Sequence, residues 1–550
     1  MKRLDNMFNR SFGKKLYPSS PSALLFAILL VFLILKILIN KSISDFSIDG
    51  GFYLDVARHI HDGFGLKTRI SLYHKGFTYF PHPTAIYPLW PIVLGYVSKI
   101  SSLHAMAVWL PTFFYFLSLV FAYCWANKIW PGKLFALLPN LNAGHFLVIF
   151  LGLNSSYFVF TSRPYTEGLA FVLLLAFLLR SHTLLKYPRV LYGMEIGAWL
   201  GVLLLTRVQW IVVAIAVMGV YSLAILVKGQ RIKYFVMGLF SFTSMIIVLT
   251  PFWAYVSEFS QESAWFNFLY FSVKSNNFLS NPNFNIESKG FADFLIDRLS
   301  GFLVAFNYSN RKSYFSIFNA NIYLIPLAFI VAIASLRKFK FHNLMNFIQS
   351  DGKHLKLVWG LPVLFSLGSL FVIHLLHNEY ISEWYFSRRH AIPIVLLVFF
   401  SFIYLAQKKK ILLNIILFII VFSGTVMGTL QNINYITYYQ QHEPAIESER
   451  DKLAAWLEEK RKGRDELTIA ISNNEGQRLV WRSEKINYHW VYLGATTLVD
   501  YEILFSKLAC DYLVIRNFQD ITAYPFPDNA EKIIEDFEYF EIYRVKPTKE

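Results

Sequence analysis

The stretch Ser47-Ile48-Asp49-Gly50-Gly51-Phe52-Tyr53-Leu54-Asp55-Val56-Ala57-Arg58-His59-Ile60 opens on a turn signal and continues with helical spacing. Phe52, Val56 and Ile60 recur every fourth residue, while Asp55, Arg58, His59 and Asp62 fall on the other faces. The pattern predicts a short amphipathic helix lying on a membrane surface and ended by Gly63 and Gly65. The flanking sequence supplies the membrane. An apolar run over residues 22–39 follows a basic head of Lys2, Arg3, Arg10, Lys14 and Lys15, and it is long enough to cross a hydrocarbon core of about 30 Å. No small-residue cleavage site follows it, so it reads as an uncleaved signal anchor with a cytoplasmic N-terminus. Lys36, near its outer end, is expected to snorkel to the interface.

The rest of the chain agrees. Of 550 residues, 55% are apolar, 18% aromatic and only 16% charged, with a mean hydropathy of +0.41, a composition that excludes a string of soluble domains. Further apolar runs lie near residues 85–100, 104–126, 133–151, 164–180, 191–206, 208–227, 233–255, 316–336, 357–376, 391–407 and 411–430. Basic connections such as Lys128/Lys133, Arg180/Lys186/Arg189, Lys228/Arg231/Lys233 and Lys408 to Lys410 belong on the cytoplasmic face. That sidedness requires one run between positions 39 and 128 not to cross. The run 85–100 is the one to demote, because it is short, opens among Pro81, Pro83, Pro88 and Pro91, and carries Lys99. Proline removes backbone donors that a lipid-exposed helix cannot spare. A juxtamembrane or re-entrant helix is expected there, leaving about eleven crossings and an outer C-terminus. The runs 191–206 and 208–227 together would reach about 55 Å as one helix, so Arg207 marks an outward-facing turn between two.

The expected architecture is a mainly α polytopic helical bundle with a cytoplasmic segment 1–21 and a transmembrane domain 22–430, followed by an extracytoplasmic α/β domain 431–550. Long outer loops fall at 40–103 and 256–315. The tail reads as an amphipathic helix over 447–460, then strands at 467–472, 497–499, 512–515 and 540–545. No internal repeat is evident, which disfavours inverted-repeat transporters. Cys124 and Cys510 exclude a disulfide framework and a four-cysteine zinc site.

Asp49 has two readings that can hold together. It is an N-cap carboxylate for the helix it opens, or a general base at the membrane face, able to take a proton from an attacking hydroxyl. His59, His61, His74 and His82 share the loop with Asp55 and Asp62, which leaves room for a divalent cation, but their spacing matches no tight ligand motif. No cofactor is firmly predicted.

The succession of signal anchor, Asp49-Gly50-Gly51-Phe52-Tyr53-Leu54-Asp55-Val56-Ala57-Arg58, Gly63-Phe64-Gly65-Leu66, His82-Pro83 and Tyr87-Pro88-Leu89 resembles the opening of the GT-C superfamily of lipid-linked-sugar glycosyltransferases. The likeness is to the branch of protein O-mannosyltransferases and aminoarabinose transferases. Thr161-Ser162-Arg163-Pro164-Tyr165-Thr166-Glu167-Gly168 is similar to that family's second outer loop, and Leu203-Leu204-Leu205-Thr206-Arg207 to its Leu/Thr-(Lys/Arg) turn. The family often has Asp-Glu where this chain has Asp49-Gly50, and an acid-basic pair where this chain has His82 and Pro83.

The resemblance implies a membrane glycosyltransferase that moves a monosaccharide from a polyprenyl-phosphate donor to a hydroxyl or amine of a lipid, glycan or protein acceptor on the outer face, with inversion. It implies Asp49 as the base and Glu167 as a second catalytic acid. Tyr53, Asp55, His82, Arg163, Arg207, Arg388 and Arg389 are the expected substrate-binding residues; arginine matches phosphate bidentately. For each arginine the alternative is a headgroup contact or a structural ion pair, and for Glu167 a helix-dipole partner. The aromatic cluster Trp265, Phe266, Phe268, Tyr270 and Phe271 reads as an interface belt or a cavity rim. The competing functions are a lipid-linked-sugar flippase and a membrane assembly protein with an exported tail.

The net charge of +16 would suggest nucleic acid in a soluble protein. Here the assigned cytoplasmic segments hold 21 Lys and Arg against two acids, whereas the tail from Gln431 holds 15 against 21. The basicity is a sidedness signal, and no nucleic-acid partner is expected.

Overall fold

The computed structural model describes residues 21–42, 46–72, 80–84, 86–131, 141–184, 189–207, 210–227, 231–259, 396, 411–472, 475–483, 485–491, 510–516, 530–533 and 537–545. The fold is mainly α. Helix α1 (Pro21–Ser42) precedes α2 (Ser47–His61), the short strands β1 (Lys67–Thr68), β2 (Ile70–Leu72) and β3 (His82–Pro83), and the helix α3 (Leu89–Val97). Next come α4 (Leu103–Ile129), α5 (Ala143–Gly152), α6 (Ser155–Phe160), α7 (Glu167–Leu184), α8 (Val190–Thr206), α9 (Ile211–Val227) and α10 (Arg231–Phe259). Three described segments, Ala23–Ser42, Leu103–Ile129 and Ile232–Glu258, are long and apolar enough to cross a membrane. The demoted run forms the nine-residue α3, whose length of about 14 Å cannot cross. The runs 316–336 and 357–376 and, save Leu396, 391–407 lie outside the described residues, as do the aromatic cluster, Arg388 and Arg389.

Packing explains why these helices meet. Gly193, Gly197 and Gly201 line one face of α8 every fourth residue, and α10 presses against them. A Cβ on Gly197 would lie 2.0 Å from the Ser241 carbonyl oxygen and one on Gly193 2.4 Å from that of Met237, so only glycine permits this approach. The Ser241 hydroxyl, buried at the seam, lies 2.8 Å from the Gly193 carbonyl and 3.0 Å from Tyr221 of α9. The expected run 133–151 has its described helix only over Ala143–Gly152, because Asn142 and His145 form a capping box that starts it there. Asn154 then caps α6.

Lys36 does not snorkel. It is fully buried, and its Nζ donates to the Phe158 carbonyl (2.5 Å), Thr161 Oγ1 (2.8 Å) and Ser162 Oγ (2.7 Å), between the rings of Tyr115 and Phe158. Three acceptors at the end of α6 give an ammonium all the bonds it can donate, which outweighs a reach for the interface.

After position 410 a single helix, α11 (Ile411–Arg461), runs without a break across position 431. It leads to β4 (Leu467–Ser472), α12 (Glu475–Leu479) with a 3₁₀ turn over Val480–Arg482, β5 (Ile486–Val491), β6 (Tyr512–Arg516), β7 (Ala530–Ile533) and β8 (Phe540–Val545). The sheet order is β2-β5-β4-β6-β8-β7, parallel from β2 to β6 and antiparallel beyond. Leu453, Trp456 and Leu457 of α11 pack with Ile469, Tyr488, Val514 and Ile542. The tail strands expected at 467–472, 512–515 and 540–545 are present, and 497–499 lies outside the described residues. The sheet also takes an edge strand from the first loop: Ile70 pairs with Tyr488 and Ser71 with His489.

Candidate active site

Helix α2 is not laid on a surface with its polar residues in water. Asp55 is 0% exposed and His59 4%. The Asp55 carboxylate accepts from Arg58 Nη2 (2.6 Å), Thr68 Oγ1 (2.8 Å) and the Arg69 amide (2.9 Å), and these three bonds, one of them from a positive charge, are what permits burial. Arg58 also donates to the carbonyls of Ser483 (2.7 Å) and Val480 (3.1 Å). The helix is therefore clamped to the C-terminal sheet, and Asp55 serves that clamp.

Asp49 lies in the first turn of α2, partly exposed. The N-cap is Phe46, with no side-chain capping bond. The N-cap reading of Asp49 is thus replaced by a first-turn acid facing the positive end of the helix dipole. The two glycines after it have a packing reason. A Cβ on Gly50 would touch Pro164 Cγ at 3.0 Å, and one on Gly51 would lie 2.0 Å from the Gln477 carbonyl oxygen. The start of α2 is thereby wedged between the loop 161–166 and α12. Trp481 continues that contact, its ring 5.1 Å from Phe46 and 6.0 Å from His104.

The loop 161–166 is fixed on several sides. Lys36 holds Thr161 and Ser162, and Trp90 Nε1 donates to the Pro164 carbonyl at 2.8 Å. Arg163 is partly exposed on it. Glu167 then starts α7 and accepts from Arg207 Nη1 at 2.6 Å, with side chains 4% and 7% exposed. The helix break expected at Arg207 is present, α8 ending at Thr206 and α9 starting at Ile211, and the Arg207 charge is matched by Glu167 inside the protein. The structure sets Gly50, the neighbour of Asp49, against Pro164, the neighbour of Arg163, and pairs Glu167 with Arg207.

Tyr53 is buried in the cluster of Phe46, Trp90 and Tyr165. His82 stands on the sheet side, Nε2 2.9 Å from the Ile70 carbonyl and Nδ1 2.9 Å from that of Pro83. Phe80 lies between it and His489, with ring distances of 5.5 and 5.3 Å. Burial, with the neighbouring His82, pushes His489 down to about 4. Among the described residues no group of three or more His, Cys, Asp or Glu side chains is placed to hold a metal.

A charged network anchors α12. Arg450, fully buried, donates to both oxygens of Glu475 (2.7 and 3.0 Å) and to Glu447, and Arg516 reaches Glu475 at 2.6 Å. Burial raises the Glu475 carboxyl, but the bonds from Arg450 and the charges of Arg450, Arg478 and Arg516 outweigh it, so it sits below the ordinary carboxylate range.

The contacts that the sequence did not reveal are those of Lys36, Gln477 and Trp481. For Lys36 the signal was an ionisable residue well inside an apolar run; for the other two there was none, because nothing local links position 51 to position 477.

No family model and no curated protein matches the chain. Among solved structures it is similar to ArnT from Cupriavidus metallidurans bound to undecaprenyl phosphate, at 12% identity and a TM-score of 0.43, covering 95% of this chain and 98% of that one. It is likewise similar to ArnT from the same organism in the apo state, at 13% identity and a TM-score of 0.44, covering 96% and 98%.

Proposed function

We propose that this chain is an integral membrane glycosyltransferase of GT-C type. It moves a monosaccharide from a polyprenyl-phosphate donor to an acceptor hydroxyl or amine on the extracytoplasmic face. The observation that carries this reading is the Gly50–Pro164 contact, which sets the half-open Asp49 turn beside the loop leading from Arg163 to Glu167. A transfer site needs a base for the incoming nucleophile and polar groups for the sugar and its phosphate, from separate segments at one place.

In this reading Asp49 takes the acceptor's proton as the nucleophile attacks the anomeric carbon, and the bond to the phosphate breaks on the opposite face with inversion. Glu167, held by Arg207, orients sugar or acceptor hydroxyls. Arg163, with Arg388 and Arg389, carries the departing phosphate's charge. Tyr53, Asp55 and His82 support these groups from the protein side. The acceptor is a lipid, glycan or protein; the organisation is a transmembrane domain over 22–430 with the remaining tail outside.

The test is transfer by the purified protein in lipid, using polyprenyl-phosphate sugars and a panel of acceptors. Wild type is expected to transfer, and Asp49→Asn to lose about a hundredfold or more in rate. Unchanged transfer by Asp49→Asn removes the base assignment. Passage of a lipid-linked sugar across proteoliposomes, with no transfer from any donor, removes the enzyme reading.

A further inference from the structure

His82 is buried, and both of its ring nitrogens face backbone oxygens: Nε2 lies 2.9 Å from the Ile70 carbonyl and Nδ1 2.9 Å from the Pro83 carbonyl. A carbonyl oxygen only accepts, and a neutral imidazole carries a single N–H. Either neutral tautomer would therefore aim a nitrogen lone pair at an oxygen 2.9 Å away, inside the protein. The imidazolium donates to both, and bonds from a charged donor are the stronger kind. The geometry is that of a ring holding two protons.

Among the described residues, the titratable groups of the elements around it are Asp55, Arg58 and His59 of α2, Lys67 of β1, Arg69 of β2 and His489 of β5. Asp55 is taken up by Arg58, the Thr68 hydroxyl and the Arg69 amide, and Arg69 pairs with Glu466. His489, across the Phe80 ring, is held down first by burial and then by His82, as beside a positive neighbour.

The two bonds tie separate parts of the fold. β3 pairs only with β1 in a two-stranded sheet, whereas Ile70 belongs to β2, the edge strand of the tail sheet. The Nε2 bond therefore joins one sheet to the other. From β3 the chain runs on to α3, whose Trp90 holds the Pro164 carbonyl next to Arg163.

We propose that His82 is an imidazolium in the folded protein and a positioning residue for transfer. It fastens β3, and through it α3, to the edge of the tail sheet, and the clasp is complete only while the ring keeps both protons. Its place in transfer rests on the reading given above; its charge does not. A proton bound more tightly by the folded chain than by the unfolded one stabilises the fold most at low pH, so the clasp weakens as pH rises.

Two measurements test this on the full-length protein in nanodiscs. The first is the side-chain ¹⁵N spectrum of protein labelled at its 14 histidines, with His82 assigned by its loss in His82→Gln or, should that chain not fold, in His82→Asn. At pH 7.5, where an ordinary histidine is about nine-tenths neutral, His82 is expected to be mostly imidazolium. A mostly neutral His82 at that pH overturns the proposal.

The second is the pH profile of transfer from polyprenyl-phosphate sugars to the acceptor panel, from pH 6 to 9. Wild type is expected to lose transfer over the range in which the spectrum shows His82 losing its proton. His82→Gln, whose amide does not titrate and reaches only one of the two carbonyls, is expected to be about fivefold slower at pH 6 and to lack that falling limb. Profiles of the same shape in both chains overturn the positioning role. Wild type that transfers at no pH overturns the transferase reading instead, while the spectrum still decides the clasp.

Discussion

At the scale of single residues, burial separates two acids of one helix, Asp49 and Asp55. Asp55 and Asp49 are six positions apart and both stood among the expected site residues, but Asp55 is enclosed by three donors whereas Asp49 stays partly exposed. Their separation was legible only as a choice, because the partners of Asp55 include the backbone of Arg69, which no helical periodicity reveals. Lys36 was legible as an oddity and misplaced. The Thr161 and Ser162 hydroxyls donate to the Tyr157 and Phe158 carbonyls at 2.5 and 2.9 Å, which leaves their lone pairs for Nζ. Lys36→Met is therefore expected to lose charge-assisted bonds without stranding those hydroxyl protons, at a cost of about 2 kcal/mol. Unfolding by denaturant in detergent would check it, and Lys36→Met of wild-type stability would show that the ammonium contributes nothing.

At the scale of elements, the helices of the first half and three of the tail strands could be read from periodicity, and the two strands β5 and β7 could not. β5 carries Asn487 and His489, both buried, so it shows no clean alternation; a strand with parallel neighbours on both sides has little reason to alternate. His489 makes that strand sensitive to acid. Its folded value of about 4 lies below the ordinary 6.5, so the unfolded chain binds the extra proton first. Stability is then complete above about pH 6.5 and falls toward pH 4. Thermal unfolding between pH 7 and 4 should show this slope, and His489→Phe should flatten it; an equal slope in both would assign the acid sensitivity elsewhere. Glu475, depressed by its arginines, adds a loss only below its own ordinary 4.5. The α8–α10 seam makes a second prediction. Gly197→Leu would drive a side chain into the Ser241 backbone and is expected to cost 3 kcal/mol or more, at about the upper end of overpacking. Gly219→Ala, with nothing within 4 Å of the added carbon, is its neutral control in the same unfolding assay.

At the scale of the whole molecule, the tail is joined to the first loop through β2, the Arg58 carbonyl contacts and the seat of α12 on Gly51. Position 431, the boundary suggested by composition, lies inside α11, because composition marks where the chain leaves apolar surroundings and says nothing about where a helix stops. The helix bearing Asp49 thus depends on residues more than 400 positions away. Arg58→Gln is expected to speed amide exchange across 47–61 by about tenfold, given the loss of charge-assisted bonds to the 480–483 turn. Exchange as slow as in wild type would mean that the clamp does not hold α2.

The shared sheet also imposes an order in time. Ile70 emerges from the ribosome 418 residues ahead of Tyr488, the partner it pairs with. At about 5 to 20 residues per second, that interval is about 20 to 80 s. Through all of it β2 is an unpaired edge and the Arg58 guanidinium has none of its tail carbonyls. The half-made protein therefore carries its acid-bearing helix unclamped until residues 477–491 of the tail have been translated.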